Sequence, residues 1–257
     1  MAKSETGVWQ QLPGGATDIG VGADGHVWVA GTGGVPHYWE SFDPSSPVLG
    51  DWPVAPPNNL QGVTRIAVDP NGLPWAIVNN SQIMRRTGSQ FPFNAWDRSI
   101  PGGATDIGIG AAGHIWVVGG GGVPHYWESF GSGGPGPGDW PVPANSIQGA
   151  TRIAVDPIGL PWVILQNNLI MRRTGGQFPG TQWEQFTDTE ALDIGIDPGN
   201  IVWIIAKDGT PMGWDWDASI WVPQPGVLLT SISVGPDGQA WGVAANEYIF
   251  RWLRPID

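Results

Sequence analysis

The sequence contains no cysteine, and only 13% of its 257 residues are charged. The absence of cysteine excludes disulfides, thiolate metal sites and thiol nucleophiles. Basic residues number only 11 against 23 acidic ones, and the net charge of −12 disfavours nucleic acid and anionic membrane surfaces as partners. No apolar run is long enough to span a membrane, and the polar start predicts no signal peptide. We therefore expect a soluble protein without membrane insertion, either cytoplasmic or exported by a non-classical route.

Glycine, proline and tryptophan are abundant, with 40, 25 and 17 residues respectively. Because glycine and proline break helices, this composition argues against a helical bundle. The apolar fraction of 41% is too high for a disordered chain. The composition therefore predicts an all-β protein with many turns and an aromatic core.

The chain repeats itself internally. Residues 13–42 return as residues 101–130 with only five of 30 positions changed, and residues 61–78 return as residues 148–165. The two segments of this duplicated unit are themselves diverged copies of one shorter motif. This internal similarity is the main guide to the architecture.

Six copies of the shorter motif fill residues 1–257, which we interpret as a single domain. Each copy opens with a tryptophan: Trp9, Trp52, Trp96, Trp140, Trp183 and Trp221. A second tryptophan follows a strand and a glycine turn: Trp28, Trp75, Trp116, Trp162, Trp203 and Trp241. Opening residues recur every 38 to 44 positions, a period typical of propeller blades. The sequence thus predicts a six-bladed β-propeller with four antiparallel strands per blade.

The two ends of the chain predict how such a ring closes. If each opening tryptophan lies on the outermost strand of the preceding blade, Trp9 lies on the outer strand of the last blade. The first strand then pairs with the last one, residues 248–253, and no sheet edge stays exposed. We expect the N-terminal strand to complete the sixth blade.

The repeated order of tryptophan, small-plus-aliphatic strand, Asp-Gly-x-x-Trp and aromatic strand resembles the tectonin family of β-propellers. The resemblance extends from Val8 to Leu253 and depends on six registrations of the motif. It implies a propeller fold. By analogy it implies either a lectin, for glycans that include O-methylated or bacterial surface glycans, or a protein-interaction module.

Charged residues distinguish the odd units from the even ones. Before the inner-strand isoleucine the residues are, in order, Asp18, Arg65, Asp106, Arg152, Asp193 and Ser231. The third strand of the even units ends in Met84-Arg85, Met171-Arg172 and Phe250-Arg251. We align these pairs with Trp39-Glu40, Trp127-Glu128 and Trp214-Asp215 of the odd units. We interpret the alternation as structural, with each acid meeting a base on the neighbouring blade.

Five tryptophans remain after two are assigned to each unit: Trp39, Trp127, Trp214, Trp216 and Trp252. The first three occupy one equivalent place in the odd units. Around it the predicted ligand-binding residues are His37, Tyr38, Trp39, Glu40, His125, Tyr126, Trp127, Glu128, Trp214 and Asp215. Aromatic faces beside polar groups suit sugar recognition. Strand alternation puts His37 and Trp39 on one side, with Tyr38 and Glu40 on the other.

A second interpretation of these residues stays open. In it, the rings of Tyr38 and Trp39 fill space between blades and bind no ligand. Long Gly/Pro loops, residues 43–51 and 131–139, follow the third strand of the first and third units and favour a site there. The fifth unit has no such loop, and we expect a weaker site at Trp214.

We expect a lectin-like protein whose partners are glycans or glycoconjugates, bound at equivalent sites on alternate blades. The sequence has no nucleophile elbow, no metal-ligand cluster and no phosphate loop. We therefore predict that it is not an enzyme and has no catalytic residues, metal or cofactor. A protein-interaction or structural scaffold, with a protein partner, is the alternative.

Overall fold

The computed structural model describes residues 7–42, 49–57, 60–89, 91–129 and 138–253. Within these ranges the chain forms 24 strands and one 3-10 turn, Gly120–Gly122, with no α-helix. No helix of the described residues is long and apolar enough to cross a membrane. The predicted all-β class is confirmed.

The described strands pair antiparallel throughout, and we assign them to six groups numbered in chain order. Group 1 contains the second half of β1 (Val8–Val21), β2 (Val27–Gly31), β3 (Pro36–Tyr38), β4 (Glu40–Ser41) and β5 (Gly50–Asp51). Group 2 contains β6 (Val63–Val68), β7 (Pro74–Val78), β8 (Gln82–Arg86) and β9 (Trp96–Asp97). Group 3 contains β10 (Asp106–Ile109), β11 (Ile115–Val118), β12 (Pro124–Tyr126), β13 (Glu128–Ser129) and β14 (Gly138–Asp139). Among the described strands, β4 and β5 are hydrogen-bonded only to each other, as are β13 and β14.

The second half of the chain repeats this arrangement. Group 4 contains β15 (Ala150–Val155), β16 (Pro161–Leu165), β17 (Leu169–Thr174) and the first half of β18 (Gln182–Ile196). Group 5 contains the second half of β18, β19 (Val202–Ala206), β20 (Pro211–Asp215) and β21 (Ile220–Pro223). Group 6 contains β22 (Ser231–Val234), β23 (Ala240–Val243), β24 (Tyr248–Leu253) and the first half of β1.

Two long strands each belong to two groups. The first half of β1 pairs with β24, with Trp9 opposite Trp252, and its second half pairs with β2. In the same way β18 pairs first with β17 and then with β19. The first strand of the chain is therefore hydrogen-bonded to the last one.

The innermost strand of each group contacts the innermost strands of two other groups, in the order β1, β6, β10, β15, β18, β22 and back to β1. They surround a narrow central space lined by residues of all six strands. A Cβ on Gly20 would lie 2.7 Å from the carbonyl oxygen of Ile66, and one on Gly108 would lie 2.8 Å from that of Ile153. Neighbouring backbones approach too closely there for a side chain, which explains the alternation of glycine with isoleucine and valine.

The second tryptophan of each unit packs between groups, as predicted. Trp28, Trp75 and Trp116 are fully buried. The indole Nε1 of Trp28 donates to the carbonyl of Gly72 in group 2 at 3.2 Å, and that of Trp116 donates to Gly159 in group 4 at 3.0 Å. Each ring therefore joins its own group to the next one by packing and, in these two cases, by a hydrogen bond.

The alternating charges of the inner strands meet across group boundaries, which confirms their predicted pairing. Arg65 bridges two acids, with Nη1 at 3.3 Å from Asp18 and Nε at 3.2 Å from Asp106. Arg152 Nε lies 3.6 Å from Asp193. The side chains of these pairs are buried or half-buried, and a charge in such a place needs a partner of the opposite sign, which each of them has. The prediction is wrong for the third strands, where Arg85 and Arg172 pair with acids on the outer strands of their own groups, Asp97 and Glu184.

The same aspartates also bind the backbone of the next group. The second carboxylate oxygen of each accepts a main-chain N–H at 2.7 to 2.8 Å: Ile66 to Asp18, Ile153 to Asp106 and Ile232 to Asp193. Ser231, where the alternation lacks a base, donates its hydroxyl to Asp18 at 2.7 Å. All three acids are thus committed to structural hydrogen bonds.

Candidate ligand-binding site

The predicted site residues of group 1 lie at the break between two strands. His37 and Tyr38 end β3, Glu40 opens β4, and Trp39 lies between them. The main-chain N–H of Trp39 donates to Val27 at 2.9 Å. The equivalent residues, His125 to Glu128, occupy the same positions around β12 and β13 in group 3.

The cross-strand register corrects one sequence alignment. Tyr38 lies opposite the second tryptophan of its group, which is the position that Arg85 occupies in group 2. Trp39 therefore corresponds to Arg86 and not to Met84, with which the sequence alignment paired it. The aromatic–charged pairs look alike in sequence, but the hydrogen-bond register decides which residues are equivalent, and it differs from the sequence alignment by two residues.

Tyr38 and Trp39 pack towards opposite neighbours. The ring of Tyr38 lies 4.9 Å from that of Phe91 in group 2. The ring of Trp39 lies 4.9 Å from that of Trp52 and 6.2 Å from that of Trp241 in group 6. Both side chains are half-buried. Trp39 therefore packs at the boundary between groups 6 and 1, and Tyr38 packs at the boundary between groups 1 and 2.

The two predicted histidines make structural contacts. His37 Nδ1 lies 2.7 Å from the carbonyl oxygen of Trp52, and His125 Nδ1 lies 2.9 Å from that of Trp140. Each joins its third strand to the outer edge of its group. Glu40 and Glu128 are exposed and lie opposite other acids, Asp51 and Asp139, in the outer strand pairs.

An open cleft of about 380 Å³ lies where group 6 meets group 1. Two indoles form walls, Trp39 from group 1 and Trp241 from group 6, and the polar residues Ser41, Asp237 and Arg251 also line it. We call this the indole cleft. The sequence pattern did not indicate Asp237 or Arg251 as site residues and indicated only a packing role for Trp241, because these residues and Trp39 belong to different units of the repeat.

Arg251 has different hydrogen-bond partners from its counterparts, Arg85 and Arg172, which pair with acids on the outer strands of their groups. Arg85 donates to Asp97 on the outer strand of group 2 at 3.3 Å. The residue opposite Arg251 on the outer strand is the neutral Gln10. Arg251 Nε instead donates to Gln239 at 3.0 Å, and Nη2 reaches Asp237 at 3.4 Å.

The guanidinium of Arg251 lies against the cleft wall. Its central carbon is 4.8 Å from the ring centroid of Trp241. Burial lowers the pKa of Arg251 from its usual value, an effect that Asp237 opposes. The cleft therefore combines two aromatic faces with one cation and one carboxylate, a set of groups able to bind both the C–H face and the hydroxyls of a ligand.

The second copy of the site has different neighbours. Trp127 packs against Trp140 at 4.8 Å and Trp75 at 6.2 Å. Its indole Nε1 is buried, with no hydrogen-bond partner in the described part of the chain. Asp69 occupies the place that Gly235 holds at the indole cleft, and its carboxylate accepts main-chain N–H groups of its own turn.

The third copy is a local aromatic cluster. Trp214 lies 4.6 Å from Phe186 and 4.9 Å from Trp221, and its Nε1 is likewise buried without a partner among the described residues. Asp215 accepts the main-chain N–H groups of Asp217 and Ala218, each at 2.9 Å. The ten predicted residues therefore lie in groups 1, 3 and 5 and do not come together in one site.

The predicted Gly/Pro loops fall largely outside the described residues, which omit 43–48 and 130–137. Their final residues are described. A Cβ on Gly50 would lie 2.5 Å from the ring of Trp39, so this glycine lies directly on the indole. No three His, Cys, Asp or Glu side chains in the described ranges are grouped so as to hold a metal ion.

Comparison with known proteins identifies the fold. No family model and no curated protein matches the chain. A solved structure described as "YCF48 bound to D1 peptide" is similar, with a TM-score of 0.59 and 17% identity over 98% of each chain. YCF48 is a β-propeller, and at this identity the likeness extends to the fold alone. The chain is a β-propeller protein.

Proposed function

We propose that groups 1 to 6 are the blades of a six-bladed propeller, completed by the N-terminal strand, and that it belongs with the tectonin-like propellers. The pairing of β1 with β24 supports closure, because it joins the two ends of the chain. The cyclic contacts of the inner strands support six blades. The repeated motif supports the relationship to tectonins.

We further propose that the protein binds carbohydrate rather than catalysing a reaction, and that the indole cleft is its principal site. The observation that carries this proposal is the pair of indoles, Trp39 and Trp241, 6.2 Å apart beside Arg251 and Asp237. Indole faces pack against sugar C–H groups, and a guanidinium and a carboxylate hydrogen-bond to hydroxyls. A cleft of about 380 Å³ is within the range of small-ligand sites.

The ligands we propose are O-methylated or bacterial surface glycans, because an O-methyl group adds apolar surface that an indole can cover. Trp127 and Trp214, with their neighbours, are proposed as secondary sites on alternate blades. Their buried indole Nε1 atoms favour weaker binding there. Several weak sites that face one glycan-coated surface would bind it with increased avidity.

The alternative function is protein recognition without glycan. It is favoured by one observation, that the similar YCF48 structure is described as bound to a peptide. The two functions differ in what competes for the protein. Free glycan displaces a lectin from its partner, whereas it leaves a peptide complex intact.

A glycan array that includes methylated and bacterial glycans tests the proposal. We expect the wild type to bind at least one glycan and Trp39→Ala to lose that binding. Tyr248→Ala is the matched control, since it removes an aromatic ring that is 46% exposed and does not line the cleft. Absence of binding to every glycan, or unchanged binding by Trp39→Ala, contradicts the proposal.

A further inference from the structure

A second concave site lies at one end of the central space, across groups 2, 3 and 4. Its volume is about 400 Å³, and Arg65 and Arg152 lie among the residues that line it. Between them is the glycine turn Gly119–Gly122, and the amide side chains of Asn80 and Gln166 are also part of the lining. It shares no lining residue with the indole cleft.

Both guanidiniums retain unused donors. Arg65 commits Nε and Nη1 to Asp106, Asp18 and a main-chain carbonyl. Arg152 commits Nη1 to a main-chain carbonyl, and its Nε is 3.6 Å from Asp193. Among the described residues, neither Nη2 has a hydrogen-bond partner. Two cations with spare N–H groups flanking a concavity suit an oxyanion.

The glycine turn differs from its counterparts in groups 1 and 5. Thr32 in group 1 donates its hydroxyl to Glu247 at 2.7 Å. Lys207 in group 5 donates to Glu190 at 2.8 Å. The equivalent residue of group 3 is Gly120, and a Cβ placed there would meet nothing within 4 Å.

The acid that Thr32 binds, Glu247, is also replaced here by a residue without a carboxylate. Ala104 donates its N–H to Ser81 exactly as Ala16 donates to Glu247, so Ser81 is the counterpart of Glu247. The concavity therefore lacks both the side chain and the carboxylate found at the equivalent place. The main-chain N–H of Gly122 donates to Gly119 inside the turn, so the turn contributes open space to the concavity.

We propose that this concavity, the arginine–glycine pocket, binds an oxyanion group, a carboxylate or a phosphate, between Arg65 and Arg152. Asp18 and Asp106 hold the guanidinium of Arg65, and Asp193 lies beside that of Arg152, so the aspartates position both cations. The site is independent of glycan binding in the indole cleft, and either proposal stands if the other fails.

Isothermal titration calorimetry with the full chain tests the proposal. The probes are inorganic phosphate and acetate, with acetamide as the neutral control, because none of the three is a sugar that the indole cleft would bind. We expect one anion to bind with a millimolar dissociation constant that weakens as salt is added. The better of the two identifies phosphate or carboxylate chemistry. No heat from either anion, or equal binding of acetamide, overturns the proposal.

Two variants place the binding in this pocket. Gly120→Glu puts a carboxylate into the open space without a steric clash, and we expect it to abolish anion binding with an unchanged melting temperature. Gly176→Glu is the matched control, because its Cβ also meets nothing within 4 Å and it lies on the outer hairpin of group 4. Arg152→Gln should weaken binding about tenfold. Anion binding by Gly120→Glu equal to that of the wild type contradicts the proposal, even if Arg152→Gln fails to fold.

Discussion

Trp9 of the first strand lies opposite Trp252 of the last strand, and their ring centroids are 5.3 Å apart. At the equivalent place in group 2, Arg86 covers Trp96 at 5.5 Å. Group 6 thus replaces a cation–aromatic pair with an aromatic–aromatic pair. Trp252, one of the surplus tryptophans of the sequence, belongs to the contact that joins the two ends of the chain.

This contact predicts a large stability effect. Trp252 is 4% exposed, and Trp252→Ala should lower the free energy of unfolding by about 3–5 kcal/mol through lost burial and a cavity. Urea denaturation measures the change. Trp216→Ala, at an exposed indole, should cost less than about 1 kcal/mol, and similar losses in both variants would show that the end-to-end contact contributes little.

Arg86 is a buried anchor for several carbonyl groups. It is 1% exposed and donates to the main-chain oxygens of Ala55, Pro56, Phe93 and Asn94. Arg86→Met should cost about 3–5 kcal/mol, because these buried acceptors lose their donor. Arg172→Met is the comparison, since Arg172 is partly exposed and pairs with exposed Glu184, a pair worth about 1 kcal/mol or less. Thermal denaturation of both variants should separate them clearly, and equal shifts would refute the anchoring role.

The buried acids make stability depend on pH. Burial raises the pKa of Asp106 to about 7, although Arg65 opposes the shift. Burial also raises the pKa of Asp193. A carboxyl with a higher pKa in the folded state stabilises fully below its unfolded pKa, near 3.9, and that contribution is lost as the pH rises through the folded value.

We therefore expect the free energy of unfolding to decrease between about pH 4 and pH 7. Asp106→Asn, which cannot ionise, should show a smaller decrease over the same range. Urea denaturation at pH 5 and pH 8 tests this. Identical pH dependence in the wild type and the variant would exclude Asp106 as the cause.

Arg251 should contribute to ligand affinity in a way that Arg85 does not. Arg251 lines the indole cleft, whereas Arg85 is paired with Asp97. With a glycan identified on the array, Arg251→Ala should weaken binding about tenfold, the effect of one hydrogen bond to a charged group. Arg85→Ala should leave the dissociation constant unchanged. Tryptophan-fluorescence titration measures both, and equal affinities in the two variants would remove Arg251 from the site.

Much of the fold could be predicted from local pattern. The positions of the inner strands, the packing of the second tryptophans and the pairing of Asp18 with Arg65 all follow from the repeat. The alignment of Trp39 with Met84 was wrong by two residues, because side-chain resemblance does not reveal hydrogen-bond register.

The sequence by itself determined the β class, the tandem units and the surplus of aromatic residues, since these depend on local propensity and on repetition along the chain. Only the tertiary structure decided which residues each surplus ring meets. Trp39 and Trp127 have nearly identical sequence neighbours, yet Trp39 meets group 6, with Gly235 and Arg251, and Trp127 meets group 2, with Asp69. The difference arises because each ring packs against the group that precedes its own, and for group 1 that neighbour comes from the far end of the chain.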